Sequence, residues 1–104
     1  MNVWATIILW ENADPKADRL VRETDRERLT IAFVPTVEAA AEVASELVAE
    51  GAELIELCGG FGLEAGAVVS RAVAGRAAVG AVAFGIDSIS QAAAYKAKFE
   101  ASGD

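Results

Sequence analysis

The run Val3-Trp4-Ala5-Thr6-Ile7-Ile8-Leu9-Trp10 is apolar at odd and even positions alike. Side chains alternate between the two faces of a strand, so a strand of this composition expects cover on both faces. Strands of that kind belong to parallel sheets flanked by helices, whereas antiparallel hairpins with one wet face alternate apolar and polar. No other stretch narrows the fold as much.

The same unit recurs along the chain. Leu29–Val34 reads as a second strand ending at Pro35, and Thr36 caps a helix with Val37, Ala40, Ala41, Ala44, Leu47 and Val48 on one face. Gly51 suits its left-handed close. Glu53–Cys58 is a third strand, Leu63–Ala74 a helix closed by Gly75, and Ala77–Phe84 a fourth strand. Ser88 with Gln91 three residues on is a capping-box pattern opening a last helix from Ile89 to near Ala101. After the first strand, Asp14 before Pro15 marks a short helix running to about Glu23. This alternation predicts one α/β domain over residues 1–104: a small parallel sheet of about four strands with helices packed on it. A flavodoxin-like sandwich leads; a dimerising half-barrel, or an α+β arrangement lacking the first helix, is the alternative.

Composition bounds the function. The chain is 54% hydrophobic, but much of that is alanine, which buries little area per residue, so oligomerisation is a natural source of added stability. A net charge of -7 argues against a nucleic-acid partner. Lys16, Arg19, Arg22, Arg26 and Arg28 interleave with Asp14, Asp18, Glu23, Asp25 and Glu27, the pattern of a solvated face. One cysteine forms no internal disulfide, which fits a cytoplasmic location. The first apolar run has no basic residues before it and is too short to cross a bilayer, so no membrane association is expected. The chain has no histidine, which removes Ser-His-Asp triads, Cys-His dyads and histidine-bearing zinc sites; no metal or cofactor is expected.

In open parallel sheets ligands bind beyond the carboxyl ends of the strands. The strand Glu53–Cys58 runs directly into Gly59-Gly60-Phe61-Gly62, placing Glu56 and Cys58 on one face beside a turn whose backbone can approach a ligand. Glu56 is the candidate acid or base, because a carboxylate within an apolar strand loses solvation; a partner arginine, or a place in solvent at a sheet edge, is the other reading. Cys58 is a candidate nucleophile ahead of a helix start, or a small buried hydrophobe. Asp87 and Ser88 either assist or simply cap the last helix. Trp10, Phe61 and Phe84 fall at strand ends and are expected to wall a small apolar pocket, with Phe61, between glycines, kept from the core. Gly60-Phe61-Gly62-Leu63-Glu64-Ala65 formally fits a dinucleotide fingerprint, with Asp87 beyond the next strand. The chain lacks a second mononucleotide-binding half, and no lysine comes after the glycines as a P-loop requires. The other expectations are that the amides of Gly59 to Gly62 hold a carboxylate, phosphate or enolate oxygen, or that the turn is simply a tight strand-to-helix connection.

Ala13-Asp14-Pro15, Glu23-Thr24, Ile55 to Gly62, and Val79-Gly80 with Phe84-Gly85-Ile86-Asp87-Ser88 resemble the block pattern of a family of bacterial proteins of unknown function, domain of unknown function 6506. The resemblance covers nearly the whole chain and implies a stand-alone small domain with no assigned activity. Many relatives carry arginine where this chain has Ala83, so no arginine role carries over. Three functions are therefore expected to compete: a small-molecule enzyme using Glu56, a binding module for a small anion or nucleotide, and a structural homo-oligomer.

Overall fold

The computed structural model describes residues 1–103. Strands β1 (Asn2–Leu9), β2 (Arg19–Glu23), β3 (Glu27–Val34), β4 (Leu54–Leu57) and β5 (Ala78–Ala81) form one sheet in the order β2-β3-β1-β4-β5. β1 pairs in parallel with β3 and β4, and β4 with β5; β2 alone runs antiparallel, against β3. Helices α1 (Val37–Ala49), α2 (Leu63–Val73) and α3 (Ile89–Ser102) complete the chain. The expected α/β architecture with a mainly parallel sheet holds, with five strands rather than about four.

The fifth strand replaces the short helix expected from Asp14 to Glu23. The Asp14 carboxylate does accept from the amides of Lys16 and Ala17, and the Asp18 amide bonds to the Asp14 carbonyl at 2.8 Å, but the helical geometry stops there. Leu20 and Val21 then pair with Ile31 and Thr30 along the edge of β3, whose backbone groups would otherwise go unpaired. Thr24 closes the hairpin: its hydroxyl oxygen accepts from the amides of Arg26 and Glu27.

α1 and α2 pack side by side over one face of the sheet. Ala5, Ile7, Ala32, Val34, Ile55 and Leu57 point into that layer and meet Ala40, Val43, Ala44, Leu47, Ala65, Val69 and Val73. Alanines on sheet and helix allow the close approach. The Thr36 hydroxyl caps α1 by accepting from the Ala39 amide at 3.1 Å.

The opposite face carries Trp4, Thr6 and Ile8 of β1, Leu29, Ile31 and Phe33 of β3, Leu20 of β2, and Leu54, Glu56 and Cys58 at β4. No helix covers it among the described residues, although the composition of β1 calls for cover on both sides. α3 stands apart, with no buried residue; Tyr95 is 72% and Phe99 53% exposed. The capping box expected at its start does not form. Ser88 instead donates its hydroxyl to the Gly85 carbonyl at 3.4 Å.

α2 ends on Ala74 in the left-handed conformation, φ 53° and ψ 44°, one residue before the expected Gly75. A Cβ is disfavoured there by about 1 kcal/mol. Ala74→Gly is therefore expected to raise the unfolding free energy by roughly 0.5–1 kcal/mol in urea melts, against the usual sign of a glycine substitution. An unchanged or lowered value would show that Ala74 bears no strain.

Candidate functional site

The connections give the sheet a point of reversal. From the central β1 the chain passes to β3 on one side, then crosses back over β1 through α1 to β4 on the other. In open α/β sheets such a reversal leaves a crevice beyond the carboxyl ends of the two diverging strands. Here those ends are Leu9-Trp10 and Cys58 to Gly62, so the glycine turn occupies the switch point.

The turn is built from both sides. The Leu9 amide donates to the Cys58 sulfur at 3.4 Å and the Cys58 amide to the Ile7 carbonyl at 3.1 Å, tying the end of β4 to β1. Phe61 donates its amide to the Cys58 carbonyl at 3.3 Å, and Ala65 to the Gly62 carbonyl at 3.2 Å as α2 starts. The amides of Gly59, Gly60 and Gly62 have no acceptor among the described residues. Gly59 has a steric role: a Cβ there would lie 2.9 Å from Cε2 and 3.2 Å from Cζ of Phe84. Phe84 thus lies against the turn from the β5–α3 connection, an approach that needs glycine.

The candidate residues are only partly brought together. Cys58 and Glu56 do share a face, as their spacing requires, but that face is the uncovered one. Glu56 is exposed, which corrects the expectation that burial in the strand strips its solvation. It lines a shallow depression of about 430 Å³ whose other lining residues, Asn2, Val3, Trp4, Glu27, Glu53 and Leu54, lie at the amino ends of the strands, away from the glycine turn. Cys58 is half-buried with its sulfur engaged by the Leu9 amide, an anchoring role. Asp87 is exposed, with Oδ1 folded over Gly85, and neither it nor Ser88 caps α3.

Nor do the three aromatics form one wall. Phe61, expected outside the core, is half-buried and packs against it. Trp10 meets Phe33 edge-on, with centroids 6.1 Å apart and planes at 84°, and lines a second open depression of about 400 Å³ with Ala17, Asp18, Arg19 and Leu20. Sequence reasoning misses the β2 residues of that depression because Asp14-Pro15 reads as the start of a helix to about Glu23 and the interleaved charges from Asp14 to Arg28 as a solvated face. The signal for a strand is Leu20-Val21 ahead of the turn residues Thr24-Asp25. Among the described residues no group of three or more Asp, Glu or Cys side chains is placed to hold a metal, and no helix is long and apolar enough to cross a membrane.

Fold and site together define a small, mainly parallel α/β domain with a glycine turn at its switch point. The chain matches the family of unknown function DUF6506 over residues 2–97 and belongs to it. No curated protein and no solved structure matches the chain.

The contact between Gly59 and Phe84 can be isolated. Gly59→Ala is expected to push the exposed ring aside at a cost below about 1 kcal/mol, and Phe84→Ala to abolish that cost, giving a coupling of roughly 0.5 kcal/mol or more in a double-mutant cycle. Additive effects in thermal or urea unfolding would mean the ring does not rest on the turn.

Proposed function

We propose that the protein binds a small anionic or oxyanionic group, a carboxylate, phosphate or enolate oxygen, at the turn Gly59–Gly62. The observation that carries this reading is the position of the turn at the switch point, with the amides of Gly59, Gly60 and Gly62 unpaired among the described residues and α2 starting directly after them. Backbone amides need no histidine or metal, which suits this chain. Phe84 lies against Gly59, and the Leu9 amide ties Cys58 to the end of β1.

Electrostatics limit the ligand. Glu64 sits in the first turn of α2 and competes with an anion for the positive end of the helix. A small group held by several amides, with one charge or a developing charge, fits better than a polyphosphate. The enzyme reading adds Glu56 as acid or base, and it requires a covering layer, because Glu56, the penultimate residue of β4, is exposed.

A second reading, self-assembly as a homo-oligomer, is favoured by the bare apolar sheet face. Leu20 and Leu54 are exposed there and Trp4, Ile8, Leu29, Ile31 and Phe33 are half-buried, together an apolar patch of the sort that marks an interaction site. A layer on that face would turn the two-layer domain into the flavodoxin-like sandwich that the composition of β1 calls for.

Binding is tested by titrating inorganic phosphate, acetate and small keto acids against the wild type and two variants, with affinity read by calorimetry or thermal shift. Gly62 has φ -79° and open space at its Cβ position, so Gly62→Pro removes one N–H within proline's range. It is expected to weaken binding about tenfold, or ~1.4 kcal/mol, while Glu64→Gln strengthens it in a salt-sensitive way. Absence of binding by every compound, or equal affinity in all three proteins, would refute the site.

A further inference from the structure

We propose that α3 is exchanged between two copies of the chain, the helix of each lying across the uncovered sheet face of the other in a two-fold dimer. The proposal rests on the self-assembly reading and names its occupant. Two unpartnered surfaces on one chain motivate it. The sheet presents an apolar face with no layer over it, and α3 presents a helix with nothing beneath it.

The two surfaces match in pattern. Ile89, Ala92, Tyr95 and Phe99 succeed one another at spacings of three and four residues and form a stripe on one side of α3. Lys96 and Lys98 flank that stripe, while Glu27, Glu53 and Glu56 rim the depression beside Trp4 and Leu54. Among the helices, α1 carries only acidic charges and α3 has more lysines than carboxylates, so α3 is the helix whose charge suits an acidic rim. The lengths match as well: a helix of 14 residues is about 21 Å long, and five strands roughly 4.8 Å apart give a sheet of similar width.

An isolated helix of this length is marginal in water, and its one internal ion pair, Lys96–Glu100 at 2.9 Å, is on the surface. Its order calls for a surface to lie on. The connection Val82–Ser88 has the form of an exchange hinge: Val82, Phe84 and Ile86, at alternate positions, are all exposed, and Ile86 is 90% exposed. Two such connections passing each other at the two-fold axis would cover those side chains. Each partner contributes its open face, one side of α3 and the exposed side chains of the connection, about 20 residues in all, at the low end of the roughly 20–30 a side of a stable interface. The exchanged helix also withdraws Glu56 from water, which is the condition the acid–base role lacks in the single chain.

The test uses the full chain in light scattering across concentration, with two variants and their mixture. Tyr95→Asp lies on α3, where no residue is buried, so the body of the domain folds regardless. Ile31→Asp lies on the open face. Wild type is expected to be a dimer, each variant to weaken dimerisation by 100-fold or more, and their equimolar mixture to form a mixed dimer more readily than either alone, since one helix–face contact survives in it. A dimer unaffected by Tyr95→Asp would overturn the exchange while leaving self-assembly through another surface. A wild-type monomer at every concentration would overturn both, and hydrogen exchange would then show whether α3 is protected on its own sheet or open. If Ile31→Asp is unfolded by circular dichroism, Leu20→Asp on the exposed edge strand takes its place.

Discussion

Burial of the central sheet on one side only governs this structure. Ala5 and Ile7 of β1 are flanked by Ala32 and Val34 of β3 and by Ile55 and Leu57 of β4, all sealed beneath α1 and α2. Each large aliphatic side chain buried there contributes about 1.5–3 kcal/mol, and the layer holds every large fully buried side chain of the chain's described residues. The same strands send Trp4, Ile8, Ile31 and Phe33 the other way, where only neighbours in the sheet shield them. One layer of side chains therefore holds the fold together and another of similar size goes uncovered.

The position of the glycine turn is a consequence of that same layer. β4 must lie beside β1 to bury Ile55 and Leu57, and α2 must begin within a few residues to bring Ala65 and Val69 over them. A connection so short, with Phe61 drawn inward and Phe84 laid against Gly59, favours small residues at its other positions. The same turn leaves the amides of Gly59, Gly60 and Gly62 without an acceptor among the described residues. Binding of an oxyanion there would exploit backbone groups that the fold has already oriented, without the entropic cost of ordering long side chains.

Much of this is legible in the sequence because its signals are local. Thr36 and Gly51 bound α1, and the two-residue spacing of Glu56 and Cys58 sets them on one face. The expected first helix fails because Asp14-Pro15 is a sound start signal for a single turn only. Beyond that turn, the conformation of Arg19 to Glu23 is decided by the free edge of β3, a partner the local pattern does not reveal. The apolar character of both faces of β1 is a demand for two covering layers. Which molecule supplies the second layer is not encoded in β1 at all. The reading of Glu56 as desolvated fails for the same reason: its solvation depends on a layer that a single chain does not provide. The inward packing of Phe61 is hidden because glycine neighbours signal a turn, whereas its contact with the core comes from tertiary packing that the local pattern does not reveal.

The sheet offers a second route to assembly through its edges, and the magnitudes favour the face. β2 guards one edge with Arg19, Arg22 and Glu23, charges of the kind that discourage edge-to-edge pairing. β5 leaves the other edge without charge, but it has only four residues, Ala78 to Ala81. Ladder bonds there would add about 1 kcal/mol each net of the water they displace, with almost no side-chain burial to accompany them. Covering Trp4, Ile8, Leu29, Ile31 and Phe33 removes large apolar side chains from water at about 25 cal/mol for each Å². Short, alanine-rich β5 is thus suited to ending the sheet, and the broad face beside it to receiving a helix.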